Sequence, residues 1–294
     1  MTQLRLRPYR PGDRPAAHSV SVSAVVLTFN EEPNILRCLA SLGWAEQVVV
    51  VDSGSTDATV RLAKEADAEV VEQPWLGFSA QREFALRMPV LRHDWVYFVD
   101  ADEWVSPELA TEIGNCLASP GCSAFAQRFR LVYQGAWIRH CGWYGGSWIV
   151  RLMDRGRVRY DGSQVGERVH VEGPVRRMRN DLVDADRKGL AAWLHKHVRY
   201  AELEARSRGG RPPLLVRVRA LGPGRDHTRP FLRSLLKDVI FPSVPAKPGA
   251  LFLYMYIMRL GVLDGRAGLR FCLFHAWHEA IVAALRAPAI GERG

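Results

Sequence analysis

Acidic and hydroxyl side chains gather where three predicted β-strands end. They are Thr28, Asn30 and Glu31 after the first strand, Asp52, Ser53, Ser55 and Asp57 after the second, and Asp100, Asp102 and Glu103 after the fourth. Asp100 and Asp102 would place two hard oxygen ligands on one side of the chain, which suits Mg²⁺ or Mn²⁺ held together with substrate phosphates. No glycine-rich phosphate loop motif follows a strand, so a divalent ion would do much of the phosphate neutralisation.

The elements that must position these clusters are βαβ units. Between Val20 and Asp102, short β-branched runs alternate with helical periodicity, which is typical of a mostly parallel sheet buried on both faces. The predicted strands are residues 22–29, 47–52, 68–72 and 94–100, and the predicted helices follow Pro33, cover residues 56–66 and 78–88, and start again at Ser106. Ligands bind outside the carboxyl ends of such strands, so the clusters are expected to converge on one crevice. Taken singly, each acidic residue could instead cap a turn or end a strand in solvent.

The chain changes character twice after this region. Residues 123–175 have shorter, aromatic-rich strands broken by glycines, which indicates a mixed-sheet half whose loops could recognise a second substrate. Helical patterns follow over residues 187–206 and 231–241, and two more apolar segments over 251–260 and 269–285. The predicted organisation is a disordered leader (1–20), an α/β domain (21–186, with halves 21–105 and 106–186) and a C-terminal helical region (187–294).

Composition bounds the class of protein. The chain has 294 residues, 48% hydrophobic and 24% charged, which excludes a disordered or low-complexity polypeptide. Its formal net charge is +9, and residues 151–233, with 18 Arg and 2 Lys against 10 Asp and Glu, alone carry +10. The five cysteines form no metal-ligand spacing and predict reduced thiols. No apolar run is long enough to span a bilayer, although the protein could lie on a membrane.

Several motifs in order carry a resemblance to a known family. They are VVLTFNEEPNILRCLASL, VVVVDSGSTDATVRLA, GFSAQREFAL and YFVDADEWVSPEL, followed by CGWYGGSWIVRLM, VGERVHVEG, DRKGLAAWLHKHVRYAELEA and RLGVLDGRAGL. The first four resemble the donor half of the family 2 glycosyltransferases with the GT-A fold, and DADE resembles the DXD motif of that family. The subgroup most similar is the lipopolysaccharide-core, WaaE-like β-glucosyltransferases. The resemblance covers roughly residues 22–285.

The resemblance implies an α/β, GT-A (Rossmann-like) domain with a C-terminal helical appendage, and it implies a role for individual residues. Thr28, Asn30 and Glu31 would line the nucleoside pocket, Asp52 would contact uracil or ribose, Gln81 and Arg82 would lie near the donor, Asp100 would face the ribose and the metal-bound phosphates, and Asp102 would be the principal ligand of Mg²⁺ or Mn²⁺. The family's VHER segment reads VGER here, so Glu167 falls where the catalytic carboxylate is expected and Gly166 replaces a histidine. Asp184 replaces a second expected histidine.

The implied reaction is an inverting transfer of a sugar from a nucleotide-sugar, such as a UDP-sugar, to a glycan or lipid-linked acceptor of cell-envelope polysaccharide synthesis. Such a displacement needs a base for the acceptor hydroxyl. Glu167, in a glycine-flanked loop, is the first candidate and Glu172 the reserve. Trp143, Tyr144 and Arg151 are candidate acceptor contacts, because aromatic rings can stack on sugars and arginine favours phosphate-bearing acceptors.

Three alternatives remain. A nucleotidyltransferase would also need a metal and a nucleotide crevice. A basic nucleic-acid-binding protein would explain the isoelectric point of about 9.6, but the acidic strand ends would repel phosphate. A catalytically silent membrane-surface scaffold would bind no donor.

The predicted location is the cytoplasm, at the inner face of the cytoplasmic membrane. Six apolar residues form a stripe on the predicted helix 231–241, with Arg233 and Lys237 off it, which suits docking on anionic headgroups. Residues 252–258 and 271–277 would extend that surface. The competing interpretation is that these helices pack together as a small helical core.

Overall fold

The structure is a computed structural model, and it describes residues 20–144, 148–161, 169–209 and 247–286. The predicted helix 231–241 lies outside these ranges, as does most of the predicted leader. The chain divides into two compact units. The first comprises Met1–Val132 and Trp148–Lys188, and the second comprises Tyr133–Ser147 and Gly189–Gly294.

A seven-stranded sheet forms the centre of the first unit. Its strands are β1 (Val20–Thr28), β2 (Ala45–Asp52), β3 (Glu69–Glu72), β4 (Trp95–Asp100), β6 (Ala124–Gln127), β9 (Ile149–Asp154) and β12 (Val175–Arg177). Their order is β12-β6-β9-β4-β1-β2-β3. Only β9 runs antiparallel to its neighbours, β4 and β6. The mostly parallel α/β sheet, together with helices at the C-terminal end of the chain, confirms the predicted fold class.

Helices and short strands complete this unit. The helices are α1 (Ile35–Ala40), α2 (Thr59–Glu65), α3 (Phe78–Arg87) and α4 (Pro107–Ala118), and the short strands are β5 (Glu103–Trp104), β7 (Phe129–Tyr133), β10 (Val158–Tyr160), β11 (Val169–Val171) and β13 (Leu182–Asp184). Helix α4 starts as predicted, because the Ser106 hydroxyl accepts the Leu109 N–H and Pro107 occupies the first turn. Helix α2 starts later than predicted, because Asp57 accepts the Thr59 N–H and so forms a turn.

The central sheet is buried on both faces. On β1, Val22, Ala24 and Val26 contribute to the core on one face, and Val25 packs on the other face with residues such as Phe98 of β4. All five side chains are fully buried. Strands of this kind read as continuous apolar runs, which is why β1, β2 and β4 were predictable from sequence.

The second unit is helical. Besides β8 (Ala136–Trp137) it contains α5 (Gly189–Gly209), α6 (Lys247–Leu253), a π-helical turn (Tyr254–Met258), a 3₁₀ turn (Gly261–Asp264) and α7 (Gly265–Arg286). Helix α5 packs on α7 through Ala201, Ala205 and Val282. No helix among the residues the structure describes combines the length and the apolarity that crossing a bilayer requires.

Phe271 corrects one detail of the predicted lipid-facing surface. Its ring is buried rather than exposed. It packs edge-on against Tyr133, with ring centroids 5.5 Å apart, and against Trp143 at 5.6 Å. At Phe271, α7 therefore contributes to the core of the second unit, as the competing interpretation expects, whereas Leu273 in the same segment is 50% exposed.

Two glycines let the 3₁₀ turn approach α7 closely. A Cβ at Gly268 would lie 2.2 Å from the Gly261 carbonyl oxygen. A Cβ at Gly261 would lie 2.8 Å from the Cys141 sulfur and 3.0 Å from the Cys272 sulfur. These two thiols are themselves 3.5 Å apart. The contact therefore requires glycine at both positions.

We expect Gly268→Ala to lower the free energy of unfolding by about 1–3 kcal/mol, because backbone must move to admit the methyl group. Gly249→Ala is the matched control, since no atom lies within 4 Å of the added Cβ. There, alanine should be neutral or stabilising by up to about 1 kcal/mol. Urea unfolding of both variants measures the difference, and equal stability would contradict the packing described.

Candidate functional site

The carboxyl ends of β1, β2 and β4 lie side by side at one edge of the central sheet, which we call the strand-end edge. Thr28 pairs with Asp52 across β1 and β2, and Leu27 pairs with Asp100 across β1 and β4. Because the three strands are parallel, their ends must fall at the same edge. The structure therefore brings together the polar clusters that the sequence predicts to share a crevice.

The loops after β1 and β2 are joined by hydrogen bonds. Asn30 adopts the left-handed conformation, with φ of 52°. Its N–H donates to the Ser55 hydroxyl at 2.8 Å, and its side-chain oxygen accepts the Thr56 N–H at 2.8 Å. The Glu31 N–H donates to the Thr59 hydroxyl at 2.8 Å. The two loops therefore form one connected rim, in which Asn30 has a conformational role that its type favours.

Asp52 organises the loop that follows it. Its carboxylate is 1% exposed and accepts the N–H groups of Gly54 at 2.9 Å and Ser55 at 2.8 Å, as well as the Ser55 hydroxyl. The neighbouring Thr28 hydroxyl is buried and has no hydrogen-bond partner within the part of the chain that the structure describes. A buried hydroxyl without a partner is costly, so a polar group brought in by a ligand would be stabilised here.

Asp100 is held between two buried arginines. Its carboxylate oxygens accept hydrogen bonds from Arg82 and Arg151, each at 2.9 Å. The two guanidinium groups are almost wholly buried, and each also lies over an aromatic ring, Arg82 over Phe98 and Arg151 over Phe129. Buried charges are stable only when paired, so this arrangement fixes the Asp100 side chain.

Glu103 completes the ion pair network. It accepts the Asp100 N–H at 2.7 Å and pairs with Arg151 at 2.8 Å. Burial raises the pKa of its carboxyl well above the usual range; Arg151 opposes this shift, while Asp100 and Asp102 add to it. Residues 100–103, which we call the acidic turn, therefore include a carboxyl that binds a proton more readily than an ordinary glutamate does.

The backbone of Asp102 is anchored from β13. Its carbonyl oxygen accepts the Ala185 N–H at 3.0 Å and a guanidinium N–H of Arg37 at 3.3 Å. Its side chain is partly exposed at the strand-end edge. Asp184, which stands where a histidine was expected, pairs with Glu103 across β13 and β5.

Glu31 lies in a second charged group. Asn34 donates to its carboxylate at 2.8 Å, and Lys188 forms an ion pair with it. Burial raises the pKa of Glu31 to about 6, and the negative charge of Asp102 contributes to the rise. Asn34 also donates to Asp186 at 2.9 Å.

Sequence reasoning assigned no role to Asn34, Asp186 or Lys188. Asp186 and Lys188 belong to the DRKGL motif, and Asn34 belongs to NEEPN, both of which were noted only as family signatures. More than 150 residues separate the two motifs along the chain. The charged residues of the DRKGL motif were the available sign of a role. The motif alone could not show that they contact Asn34 and Glu31 of the NEEPN motif.

Gln81 and Arg82 lie on α3 beneath the strand-end edge, and both are buried. Gln81 accepts the Leu76 N–H at 3.2 Å and donates to the Ser53 hydroxyl at 3.3 Å. It therefore links α3 to the loop after β2, while Arg82 contacts Asp100. Both contacts lie within the first unit, and the donor roles of Gln81 and Arg82 stay predictions.

Of the three predicted acceptor residues, Arg151 belongs to this group and Trp143 and Tyr144 do not. Trp143 and Tyr144 belong to the second unit, where the Trp143 side chain is 49% exposed and packs against His275, and Tyr144 packs against Trp137. Arg151 is buried and contacts Asp100 and Glu103 instead of a solvent-facing groove. Glu167 lies outside the described residues.

Within the described ranges, no group of three or more His, Cys, Asp or Glu side chains has a metal-binding arrangement. Mg²⁺ is usually bound by one or two carboxylates together with substrate phosphates, so a protein site of three ligands is not required.

Comparisons with known proteins place the chain in a family. Residues 23–178 match the model of glycosyl transferase family 2. The chain therefore belongs to this family. An uncharacterized glycosyltransferase, RT0209 of Rickettsia typhi, is 40% identical over 118 residues, which are 39% of this chain and 40% of that protein. The lipopolysaccharide core biosynthesis glycosyltransferase LpsC of Rhizobium meliloti is 32% identical over 163 residues, covering 52% of this chain and 58% of LpsC. The similarity thus spans 40% of the length of RT0209 and 58% of the length of LpsC.

Solved structures align more weakly. One is glucosyl-3-phosphoglycerate synthase of Mycobacterium tuberculosis, determined with Mn²⁺, UDP and glucosyl-3-phosphoglycerate. The alignment covers 38% of this chain and 44% of the synthase, with a TM-score of 0.32 and 25% identity. TarS 1-349 of S. aureus covers 91% of each chain, with a TM-score of 0.47 and 13% identity. The fold class here rests on the sheet topology and the family membership.

We expect Arg151→Met to lower the free energy of unfolding by about 3–5 kcal/mol, because it leaves the buried Glu103 carboxylate without its cation. Adding Glu103→Gln should restore part of the loss. Arg61→Met is the control, since Arg61 pairs with Glu65 at 2.8 Å on an exposed helix face, where such pairs contribute about 0–1 kcal/mol. Denaturant unfolding tests this, and equal effects of Arg151→Met and Arg61→Met would contradict it.

Glu31 should make stability depend on pH in a defined window. Its folded pKa of about 6 exceeds the ordinary value of 4.5, so the folded state binds the proton more tightly than the unfolded state does. The unfolding free energy of the wild type relative to Glu31→Gln should therefore rise by about 2 kcal/mol as pH falls from about 7 to 4.5. Paired denaturation curves across this range measure it. A difference that stays constant would contradict the shifted pKa.

Proposed function

We propose that this protein is an inverting, metal-dependent hexosyltransferase that moves a sugar from a UDP-sugar to a glycan or lipid-linked acceptor of cell-envelope polysaccharide synthesis. The observation that carries the proposal is the single strand-end edge that holds Thr28, Asp52 and Asp100 together. Membership of glycosyl transferase family 2 supports sugar transfer. The name of the relative LpsC supports an acceptor in the lipopolysaccharide core.

The nucleoside would bind against Thr28 and Asp52. The Thr28 hydroxyl can both donate and accept, and it is buried without a partner until a ligand supplies one. Asp52 is already fixed by its loop, so its orientation would cost little to maintain on binding. Asn30 and Glu31 would line the adjoining side of this nucleoside site. A uracil edge or a ribose hydroxyl has the complementary polar groups.

The acidic turn fits a divalent cation. Asp102 raises the pKa values of both Glu31 and Glu103 through charge repulsion, and a cation beside Asp102 would relieve that repulsion. The candidate metal ligands are carboxylate oxygens, which Mg²⁺ and Mn²⁺ prefer. Asp102 would be the principal ligand, and Asp100, fixed by its arginines, would face the phosphates. When bound, the ion supplies positive charge to the diphosphate that leaves with the nucleoside.

The chemical step needs a base on the acceptor side. We propose that Glu167 takes the proton of the acceptor hydroxyl while that oxygen forms its bond to the anomeric carbon. The bond from the anomeric carbon to the phosphate oxygen breaks, and its electron pair leaves with the nucleoside diphosphate. Attack on the face opposite the leaving group inverts the configuration. Assignment of Glu167 rests on the family resemblance.

The acceptor and the location are part of the same proposal. The exposed Trp143 ring offers a surface on which a sugar could stack, and Tyr144 follows it directly. A lipid-linked acceptor is confined to the membrane, so a protein that docks there meets it more often. We therefore propose a cytoplasmic protein bound peripherally to the inner face of the cytoplasmic membrane, with no nucleic acid partner.

A nucleotidyltransferase is the second candidate, because the strand-end edge would suit a nucleoside triphosphate equally well. The two reactions release different products. Incubation with a UDP-sugar and a lipopolysaccharide-core acceptor should release UDP, whereas incubation with a sugar 1-phosphate and UTP should release no pyrophosphate. Pyrophosphate release without UDP release would reverse the assignment.

We expect Asp102→Asn to lower transferase activity by about 10²-fold or more while the fold is kept, because the metal and the diphosphate stabilise each other at this position. Asp67→Asn is the control, since Asp67 is exposed and its left-handed φ of 59° suits asparagine. Transferase assays and thermal melts of both variants measure the effects. Wild-type activity that survives EDTA would contradict metal dependence.

We expect Glu167→Gln to keep donor binding nearly intact and to lower turnover by at least about 10²-fold, the usual contribution of a general base. Glu172→Gln is the matched control, because the Glu172 side chain is exposed and its described contact is made by its backbone N–H, which donates to the Arg157 carbonyl. Single-turnover assays separate binding from chemistry. An inactive Glu172→Gln with an active Glu167→Gln would show that the base was assigned to the wrong residue.

A further inference from the structure

Large exposed apolar side chains concentrate around the turns that join α6 to α7. They are Leu253, Ile257, Met258, Leu260, Val262 and Leu263, and we call them the apolar turn face. Met258 is 74% exposed and Leu263 is 63% exposed. Scattered exposed leucines are ordinary, but a sequence-contiguous group of this kind is typical of a surface that contacts a partner or a membrane.

Contacts with His140 and Cys141 hold the apolar turn face in place. The buried Asp264 carboxylate accepts the His140 N–H and contacts the His140 ring nitrogen, both at 2.8 Å. The Cys141 N–H donates to the Arg259 carbonyl at 3.1 Å. Gly261 packs against the Cys141 and Cys272 thiols. The chain is thus anchored on both sides of the 3₁₀ turn, so the exposed side chains are presented by a fixed backbone.

The charge around this face is positive. Arg259 and Arg266 are exposed within or beside it, and among the described residues neither forms an ion pair. The acidic side chains of residues 247–286 are engaged elsewhere, since Asp264 contacts His140 and Glu279 pairs with Lys247. Apolar side chains flanked by arginines are complementary to a lipid interface with anionic headgroups.

We propose that the apolar turn face inserts into the interface of an anionic membrane, with Arg259 and Arg266 at the headgroups. This inference rests on the proposed function, because the lipid-linked acceptor lies in that membrane. Positive charge disfavours the other occupants. A second copy would bring its own arginines against these, and residues 229–237 of the same chain carry Arg229, Arg233 and Lys237.

The test is co-sedimentation of the full chain with phosphatidylcholine vesicles, with and without phosphatidylglycerol. Wild-type protein should bind the anionic vesicles at low salt. The double variant Val262→Ser/Leu263→Ser should lose at least about tenfold in partitioning, because two inserted side chains are removed. Arg266→Gln should lose about fivefold on anionic vesicles alone. The matched control is Leu203→Ser/Leu285→Ser, which removes equally exposed leucines from α5 and α7 and should bind like the wild type.

A thiol-reactive fluorescent label on Leu263→Cys gives a second measurement. The background carries Cys116→Ser and Cys122→Ser, which remove the two thiols that are not buried. The emission of the label should shift to the blue with anionic vesicles, whereas a label at Leu76 should not shift. Unchanged binding of the Val262→Ser/Leu263→Ser variant, or a change in its oligomeric state instead of its vesicle binding, would overturn the proposal.

A UDP-sugar thermal shift in the same samples separates this inference from the proposed function. Wild type that responds to the donor but binds no vesicles would refute the membrane contact and the proposed location, while the proposed sugar transfer would stand. Wild type that binds vesicles through the apolar turn face but does not respond to the donor would refute the proposed function while supporting the membrane contact.

Discussion

The rest of the site depends on the pairing of Asp100 with two buried arginines. Arg82 arrives from α3 and Arg151 from β9, so helix, strand and strand end are fixed relative to one another by charges that cannot be buried unpaired. Arg151 also neutralises Glu103, the carboxylate that receives the Asp100 N–H. The acidic turn can therefore be packed against an apolar core and still present Asp102 at the strand-end edge.

Around this turn, several polar side chains have contacts that support the surrounding loops. Asp52, Asn30 and Gln81 are used largely to connect loops to one another. The Thr28 hydroxyl and the partly exposed Asp102 remain at the edge where the strands end. Under the proposed function these supports would favour donor binding, because a site that is already rigid loses less entropy when a ligand binds.

The fold of the first unit was largely predictable, and its long-range contacts were not. Strands 94–100 and 47–52 were predicted within a few residues of β4 and β2, because strands buried on both faces are continuous apolar runs. The start of α2 was missed, since the side chain of Asp57 forms a turn that propensity does not encode. Arg151 was expected to face an acceptor, yet it contacts Asp100 from 51 residues away. Pairing over such separations depends on sheet order, which local patterns do not specify.

We propose above all that the strand-end edge binds a nucleotide-sugar together with a divalent ion. The most direct measurement is the thermal shift of the full chain with UDP, GDP, dTDP and CMP sugars, each with and without Mn²⁺. We expect a UDP-sugar to raise the Tm, and we expect this rise to require Mn²⁺. No shift with any nucleotide-sugar, combined with salt-dependent binding to random duplex DNA, would contradict it.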